Sequence, residues 1–168
     1  AKQKKIALLI NNNINLFGYH LPLDDHPEVG NNIELGRILG IKKMKPVEDS
    51  YLWQGELKTD LKSFSSLIER ELGRAPQLFG EMKKSINKIA WCTGGAQGFI
   101  DEAIKLKVDL FLSGEVSERT PAAAKENGIT YISAGHHATE RYGVQSLCRH
   151  LSSKFNLKHN FLEVGNSV

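Results

Sequence analysis

Ile86-Asn87-Lys88-Ile89-Ala90-Trp91-Cys92 opens the part of the chain in which strand-like and helix-like patterns alternate most regularly. From here onward the patterns predict strands over 88–92, 110–112 and 130–132, and a helix after each, over 98–106, 121–126 and 138–151. Parallel strands need crossover connections, which are usually helices. The alternation therefore predicts an α/β fold with mostly parallel or mixed sheets and helices on their faces.

The other segments carry weaker patterns that complete the predicted fold. Helices are predicted over 2–12, 31–39 and 61–72, with Gly40 and Gly73 placed to end the last two. Strands are predicted over 14–19, 52–56 and 160–164. We expect two lobes: a metal-binding α/β lobe made of residues 1–46 with 130–168, and a second α/β lobe made of residues 47–129.

The composition is that of an ordinary globular protein with enough length for a core. Of the 168 residues, 40% are hydrophobic and 24% are charged. The net charge is only +3, and the lysines lie in separate short groups without interleaved aromatic residues, as at Lys42, Lys43 and Lys45. These groups predict solvated surface and no specific nucleic-acid partner, although folding can gather them into one patch.

The cysteines and the hydropathy bear on location. Cys92 and Cys148 lack the spacing of metal ligands, and both are interpreted as structural. No apolar run is long enough to cross a bilayer, and no signal peptide is visible. A cytoplasmic location without a membrane partner is the simplest expectation.

The first candidate for chemistry is His136-His137-Ala138-Thr139-Glu140, which follows a predicted strand. If a helix begins near Gly135, His136 and Glu140 lie one turn apart on one face, at the end of the strand where α/β proteins commonly bind ligands. An imidazole and a carboxylate so placed suit zinc, manganese or iron. The alternative is a solvated helix start, in which Thr139 and Glu140 complement the exposed backbone N–H groups.

The second candidate is His20-Leu21-Pro22-Leu23-Asp24-Asp25-His26, after the strand predicted over 14–19. Pro22 predicts a stiff polar turn that holds these side chains outside a helix. Four of the six histidines lie in the two candidate segments, which favours metal binding. The alternative is that His20 or His26 is a half-buried residue with satisfied hydrogen bonds and that Asp24 only forms a turn.

Two further segments lie at predicted strand ends. Thr93-Gly94-Gly95-Ala96-Gln97 is either a phosphate or carboxylate site or, more simply, a tight turn. Its glycines match neither the dinucleotide pattern nor a Walker loop. Glu115 follows the next strand as an acid two contacts away from a bound ligand's own partners, a helix cap or an interface residue, and the sequence does not rank these roles.

Five segments in the same order resemble the YbgI-type proteins, which carry the label GTP cyclohydrolase type-two homologue. They are Asn15 to Asp24, His26 to Asn32, Trp91 to Gly95, Ser113 to Glu118 and Ala134 to Arg141. The resemblance implies a dinuclear metal-dependent hydrolase in which Asp24 and His136 bind metal and Glu140 bridges two ions. His20, His26 and His137 flank these ligands, and no catalytic residue is assigned.

The resemblance also carries expectations about cofactors and partners. It implies two divalent ions per full-length chain (zinc, manganese, iron or magnesium), a homo-oligomer in the form of a hexameric ring, and an unknown small-molecule substrate among nucleotides or pterin-like rings. The alternative function is a noncatalytic metal-binding oligomeric scaffold or an adaptor.

The chain departs from this family at its start. Family members begin with a further α/β stretch whose His-His-Gly motif supplies more metal ligands, and no such motif precedes Asp24 here. We therefore expect the chain to be a fragment with an incomplete metal site. Since a dinuclear centre needs more donors than one Asp, one His and one Glu, the fragment is expected to bind one ion weakly or none.

Overall fold

The computed structural model describes residues 1–83 and 85–166, and a six-stranded sheet forms their centre. Its strands are β1 (Lys42–Pro46), β2 (Trp53–Thr59), β3 (Gln77–Gly80), β4 (Ile86–Trp91), β5 (Leu110–Ser113) and β6 (Thr130–Ser133). The helices are α1 (Lys2–Asn11), α2 (Leu21–Asp24), α3 (Asn31–Ile38), α4 (Leu61–Leu72), α5 (Ile100–Lys105), α6 (Arg119–Glu126), α7 (His136–Thr139) and α8 (Arg141–Phe155). A short 3₁₀ turn at Gln97–Phe99 precedes α5.

The strand order is β1-β2-β4-β5-β6-β3, and only the middle of the sheet is parallel. Strands β4, β5 and β6 run in the same direction, with Trp91 paired to Leu112 and Leu112 to Ile132. Antiparallel pairing adds β2 and β1 on one side and β3 on the other. The predicted α/β class with a mixed sheet is confirmed.

Helices cover both faces of the sheet. On one face, Phe64, Ile68 and Leu72 of α4 pack with Trp53 and Trp91. The amphipathic spacing of α4 explains its position, and its ends follow the usual rules: Asp60 accepts a hydrogen bond from the Ser63 backbone N–H, and Gly73 ends the helix with a φ of +69°. On the other face, α5 and α6 pack against β4 to β6 through a second apolar cluster of Ala90, Ala103, Phe111, Ala124 and Tyr131.

Two predicted strands are wrong, because residues 14–19 and 160–164 form neither helix nor strand. Ile14, Leu16 and Leu162 are more than half exposed. An alternating apolar pattern becomes a strand only when a neighbouring strand satisfies its backbone, and no described strand pairs with either segment. The strands β1 and β3 were not predicted, because β1 is rich in lysine and β3 has only two apolar residues, between Gln77 and Gly80.

The candidate segments also differ in detail from the prediction. The expected stiff turn at 20–26 contains the one-turn helix α2, since Pro22 lies in the first turn, where its missing N–H costs nothing. The helix predicted over 138–151 is two helices, α7 and α8, separated at Glu140.

The sequence also led to expectations about membrane-spanning segments and about the division into lobes. Within the described part of the chain, no helix has the length and apolar character needed to cross a membrane. The division into lobes of 1–46 with 130–168 and of 47–129 stays a prediction. Residues 84, 167 and 168, which this division includes, lie outside the described residues.

Candidate metal site

The loops that follow β4, β5 and β6 lie side by side at one edge of the sheet. The Gly114 backbone N–H donates to the Gly94 carbonyl at 2.9 Å, and the Gly135 N–H donates to the Gly114 carbonyl at 2.9 Å. The Ser113 hydroxyl also donates to the Gly94 carbonyl, at 3.1 Å. These bonds extend the parallel ladder beyond the strands and hold the three loops together, as expected at the carboxyl ends of parallel strands.

His136 and Glu140 meet at this edge as their spacing predicts. Gly135, with a φ of +97°, turns the chain from β6 into α7. The distance between His136 Nε2 and Glu140 Oε1 is 3.2 Å. Gly94, with a φ of +67°, leaves the space for both, since a Cβ there would overlap Glu140 Oε1 and lie 3.1 Å from His136 Nε2.

Glu115 is the functional candidate whose role the sequence left open, and the structure places it against His136. The distance between His136 Nδ1 and Glu115 Oε1 is 2.6 Å. Since a carboxylate only accepts, Nδ1 donates, and this contact fixes the ring so that Nε2 faces Glu140. The only signal in the sequence was its position just after an apolar strand, and many acidic residues share that feature.

The pKa values of this trio shift for identifiable reasons. Burial lowers the pKa of His136, but the hydrogen bond with Glu115 and the charge of Glu140 outweigh this effect and raise it above its ordinary value. The hydrogen bond with His136 holds the pKa of Glu115 below its ordinary value. Burial raises the pKa of Glu140, and the charge of Asp24 acts in the same direction. Two carboxyl groups therefore flank the imidazole, and their pKa values shift in opposite directions.

Asp24 reaches the same place from the other end of the chain. It is 8% exposed, and its Oδ1 accepts a hydrogen bond of 2.7 Å from the Asn31 side chain. The side-chain Oδ1 of Asn31 in turn accepts a hydrogen bond of 2.7 Å from the Gly143 backbone N–H of α8. Asn31 thus fixes Asp24 relative to the helix that follows Glu140.

A cavity of about 260 Å³ joins these residues. Its walls include all three predicted metal ligands, and they are formed by His20, Leu21, Asp24, Tyr51, Cys92, Thr93, Gly95, Ala96, Phe99, His136 and Glu140. Tyr51 and Phe99 contact each other edge to face, with ring centroids 6.5 Å apart. The cavity therefore combines carboxylates and imidazoles with an aromatic wall.

The remaining predicted residues divide between the cavity and its surroundings. His20 lines the cavity, whereas His26 accepts hydrogen bonds from the backbone N–H groups of Glu28 and Val29. The distance between His137 Nε2 and Glu163 Oε1 is 3.4 Å. Cys92 lines the cavity, but burial raises the pKa of its thiol to about 12, in keeping with a structural role.

The donor types fit a divalent ion, although the set does not enclose one. Two carboxylates and an imidazole nitrogen line one cavity, and the Thr93 hydroxyl beside them is buried without a hydrogen-bond partner among the described residues. An orphaned polar atom at a cavity wall is one that a bound ligand or water can satisfy. Residues 1–83 and 85–166 contain no group of three His, Cys, Asp or Glu side chains close enough to hold an ion.

Fold and site together define an α/β protein with a polar cavity at the carboxyl ends of its parallel strands. A family model described as Duf34/NIF3 (NGG1p interacting factor 3) matches residues 1–167. The chain therefore belongs to the Duf34/NIF3 family, which confirms the resemblance.

Several relatives and solved structures agree over nearly the whole chain. The "GTP cyclohydrolase 1 type 2 homolog" of Pseudomonas aeruginosa is 48% identical over 171 residues, covering 98% of this chain and 68% of the relative, and the Escherichia coli protein of that name is 44% identical with the same coverage. The structure of the protein ybgI superimposes with a TM-score of 0.94 at 40% identity, covering 99% of this chain and 68% of that one. A Thermus thermophilus structure gives 0.90 at 29% identity, covering 99% and 67%.

Proposed function

We propose that this protein is a metal-dependent hydrolase in which Asp24, His136 and Glu140 hold a divalent ion. The observation that carries the proposal is the position of His136, whose two ring nitrogens each face a carboxylate, Glu115 at 2.6 Å and Glu140 at 3.2 Å. A carboxylate on the outer nitrogen of a histidine is the usual companion of a metal ligand, because it fixes the tautomer and orients the other nitrogen.

The residues of the chain have separable tasks in this proposal. Glu115 keeps the proton on His136 Nδ1, Asn31 orients Asp24, and Gly94 leaves room for the Glu140 carboxylate. Burial disfavours the ionised form of Glu140, and a cation beside it restores that form. When bound, the ion supplies Lewis acidity, by which metal hydrolases activate water and polarise the bond that is cleaved.

The substrate class follows from the relatives' name and from the cavity wall. Relatives are named GTP cyclohydrolase 1 type 2 homologs, and we extend to this chain a nucleotide or pterin-like substrate. Tyr51 and Phe99 support this choice, because aromatic walls pack favourably against planar rings.

Further parts of the proposal concern stoichiometry and assembly. Because the described residues offer few donors, we propose that additional ligands complete a site for two ions, with Glu140 shared between them. A homo-oligomer in the form of a hexameric ring remains the proposed assembly. The two free cysteines support a reducing, cytoplasmic location.

The second candidate function is a noncatalytic metal-binding scaffold. The shortage of converging donors within the described part of the chain favours it, since such a site orders structure only after other ligands join. The two functions differ in the coordination of the ion: a water ligand facing the cavity supports hydrolysis, and full ligation by protein supports the scaffold.

Metal content tests the proposal directly. The protein is supplemented with zinc, manganese, iron or magnesium in turn, dialysed and measured by elemental mass spectrometry, alongside Glu140→Gln, His136→Ala and the matched control His137→Ala. We expect the control to keep the wild-type occupancy and both cavity variants to lose it. Equal occupancy in all four proteins contradicts the assignment. If the expected pattern is found, hydrolysis of nucleotides is assayed with the ion that binds.

A further inference from the structure

A basic groove lies on the sheet away from the candidate metal site. It is formed by Lys43, Lys45, Gln54, Gly55, Glu56, Lys58, Asn87 and Lys88, and its volume is about 630 Å³. Lys88 lies near the start of β4, whereas Thr93 of the metal cavity follows the end of that strand. At about 3.3 Å per residue in a strand, these two positions are roughly 16 Å apart.

The four lysines line one groove, and the strand register places Lys45 and Lys88 on one face of the sheet. Lys45 is paired with Gln54, and Gln54 with Ala90, whose side chain packs under α5 and α6. Glu56 is paired with Lys88 on the same face, and Lys58 is two residues further along β2. The helices α5 and α6 cover the other half of this face, from β4 to β3, whereas the groove lies over β1, β2 and the start of β4.

The charge of the groove is concentrated and weakly compensated. Its four lysines and one glutamate give a formal charge of +3, which equals the net charge of the whole chain. Lys43 pairs with Glu56 at 2.8 Å, but their side chains are 75% and 50% exposed, and exposed ion pairs are weak. Within the described residues, Lys45 and Lys58 have no carboxylate partner.

Protection of the sheet edge does not explain this arrangement. Lysines on an edge strand discourage pairing with other chains, which accounts for Lys43 and Lys45 on β1. Lys58 and Lys88 lie on β2 and β4, which have neighbours on both sides. The Lys88 ammonium donates to the Leu106 carbonyl, so this end of the groove is also held in place.

We propose that the groove binds the phosphate chain of a small molecule, either as free polyphosphate or as part of a nucleoside triphosphate. Three ammonium-bearing strands spaced about 4.8 Å apart present donors across roughly 10 Å, and the groove volume lies in the range of small-ligand sites. Among the described residues, none of those lining the groove is aromatic and able to stack on bases, which disfavours a single-stranded nucleic acid.

Calorimetric titration with inorganic tripolyphosphate tests this proposal on the whole chain, without added divalent ions, which phosphate would chelate. We expect binding that weakens with salt and is about tenfold weaker in Lys45→Gln/Lys58→Gln. The control Lys2→Gln/Lys4→Gln removes the same charge from α1 and should change affinity less than about twofold. Equal weakening in both double variants shows only a net-charge effect and overturns the site.

A second set of measurements excludes misfolding and other ligands. Glu56→Gln releases Lys43 and should strengthen binding by about two- to fivefold, a gain that misfolding cannot produce. Glu140→Gln should leave the affinity unchanged, and a loss there would move the phosphate to the metal cavity and overturn the proposal. A titration with ATP in place of tripolyphosphate shows whether a nucleoside adds affinity. ATP that binds at least as tightly as tripolyphosphate supports recognition of the phosphate chain. If an oligothymidylate binds more tightly than tripolyphosphate, the ligand of the groove is a nucleic acid, and the assignment to a small molecule is refuted.

Discussion

Substitution of Gly94 by alanine tests whether this glycine is needed for its backbone conformation alone or also for the space that the Glu140 side chain occupies. Gly94 has a φ of +67°, and a Cβ there would overlap Glu140 Oε1. Gly73 has nearly the same backbone, with a φ of +69°, and a Cβ there would meet no described atom within 4 Å. Gly73→Ala is therefore a matched control that carries the backbone cost alone.

The magnitudes follow from these two environments. An alanine in the left-handed region costs about 1–2 kcal/mol, which we expect for Gly73→Ala. Gly94→Ala adds the loss of the contact between Glu140 and His136, which is roughly 1 kcal/mol for a charged pair that is partly exposed. Metal-stripped Gly94→Ala should thus be less stable than Gly73→Ala by about 1 kcal/mol in urea denaturation.

A double-mutant cycle tests the reasoning. In a Glu140→Ala background the overlap with Glu140 is gone and only the 3.1 Å approach to His136 Nε2 remains. Gly94→Ala should then cost little more than Gly73→Ala, giving a coupling energy of at least about 0.5 kcal/mol. Metal should raise the melting temperature of Gly73→Ala but not that of Gly94→Ala. A coupling energy of zero, or full metal stabilisation of Gly94→Ala, would refute the idea that Gly94 makes room for Glu140.

Three further predictions use other parts of the site and sheet. Thr139→Val should lower the free energy of unfolding by about 1–3 kcal/mol, since the Thr139 hydroxyl accepts a hydrogen bond from the Gly94 N–H. Thr93→Val removes a hydroxyl without a partner among the described residues and should be neutral or stabilising. Equal losses of stability in urea denaturation would contradict this. Glu115→Gln should weaken metal binding by about 10- to 100-fold without unfolding the protein, as measured by competition with a chelating dye, and unchanged affinity would remove Glu115 from the site. Burial raises the pKa of Asp109, but hydrogen bonds from the backbone N–H groups of Asn87 and Lys88 and from Lys83 outweigh this effect and lower the pKa. Asp109→Ala should therefore reduce the free energy of unfolding most above about pH 4, and the reduction should shrink as the pH falls through the lowered pKa. A reduction that is the same at pH 6 and pH 3 would contradict this.

The sequence predicted the parallel middle of the sheet well because its elements are buried on both faces. Strands β5 and β6 and the second half of β4 are buried, and a helix connects each of these strands to the next. The edges were harder, because β1 carries lysines that look like solvated loop and depends on β2 for its backbone hydrogen bonds. Local patterns do not contain that information, since pairing is decided by distant residues.

The candidate site shows the same division between local and distant information. His136 and Glu140 are four residues apart, so helix geometry brings them together wherever that turn forms, and the sequence sufficed. Glu115 and Gly94 reach His136 through the ladder that joins three loops, and Asp24 depends on Asn31 and α8 for its position. The candidate site at the carboxyl edge of the parallel strands is therefore recognised from its local pair, but its geometry depends on residues that only the fold brings near.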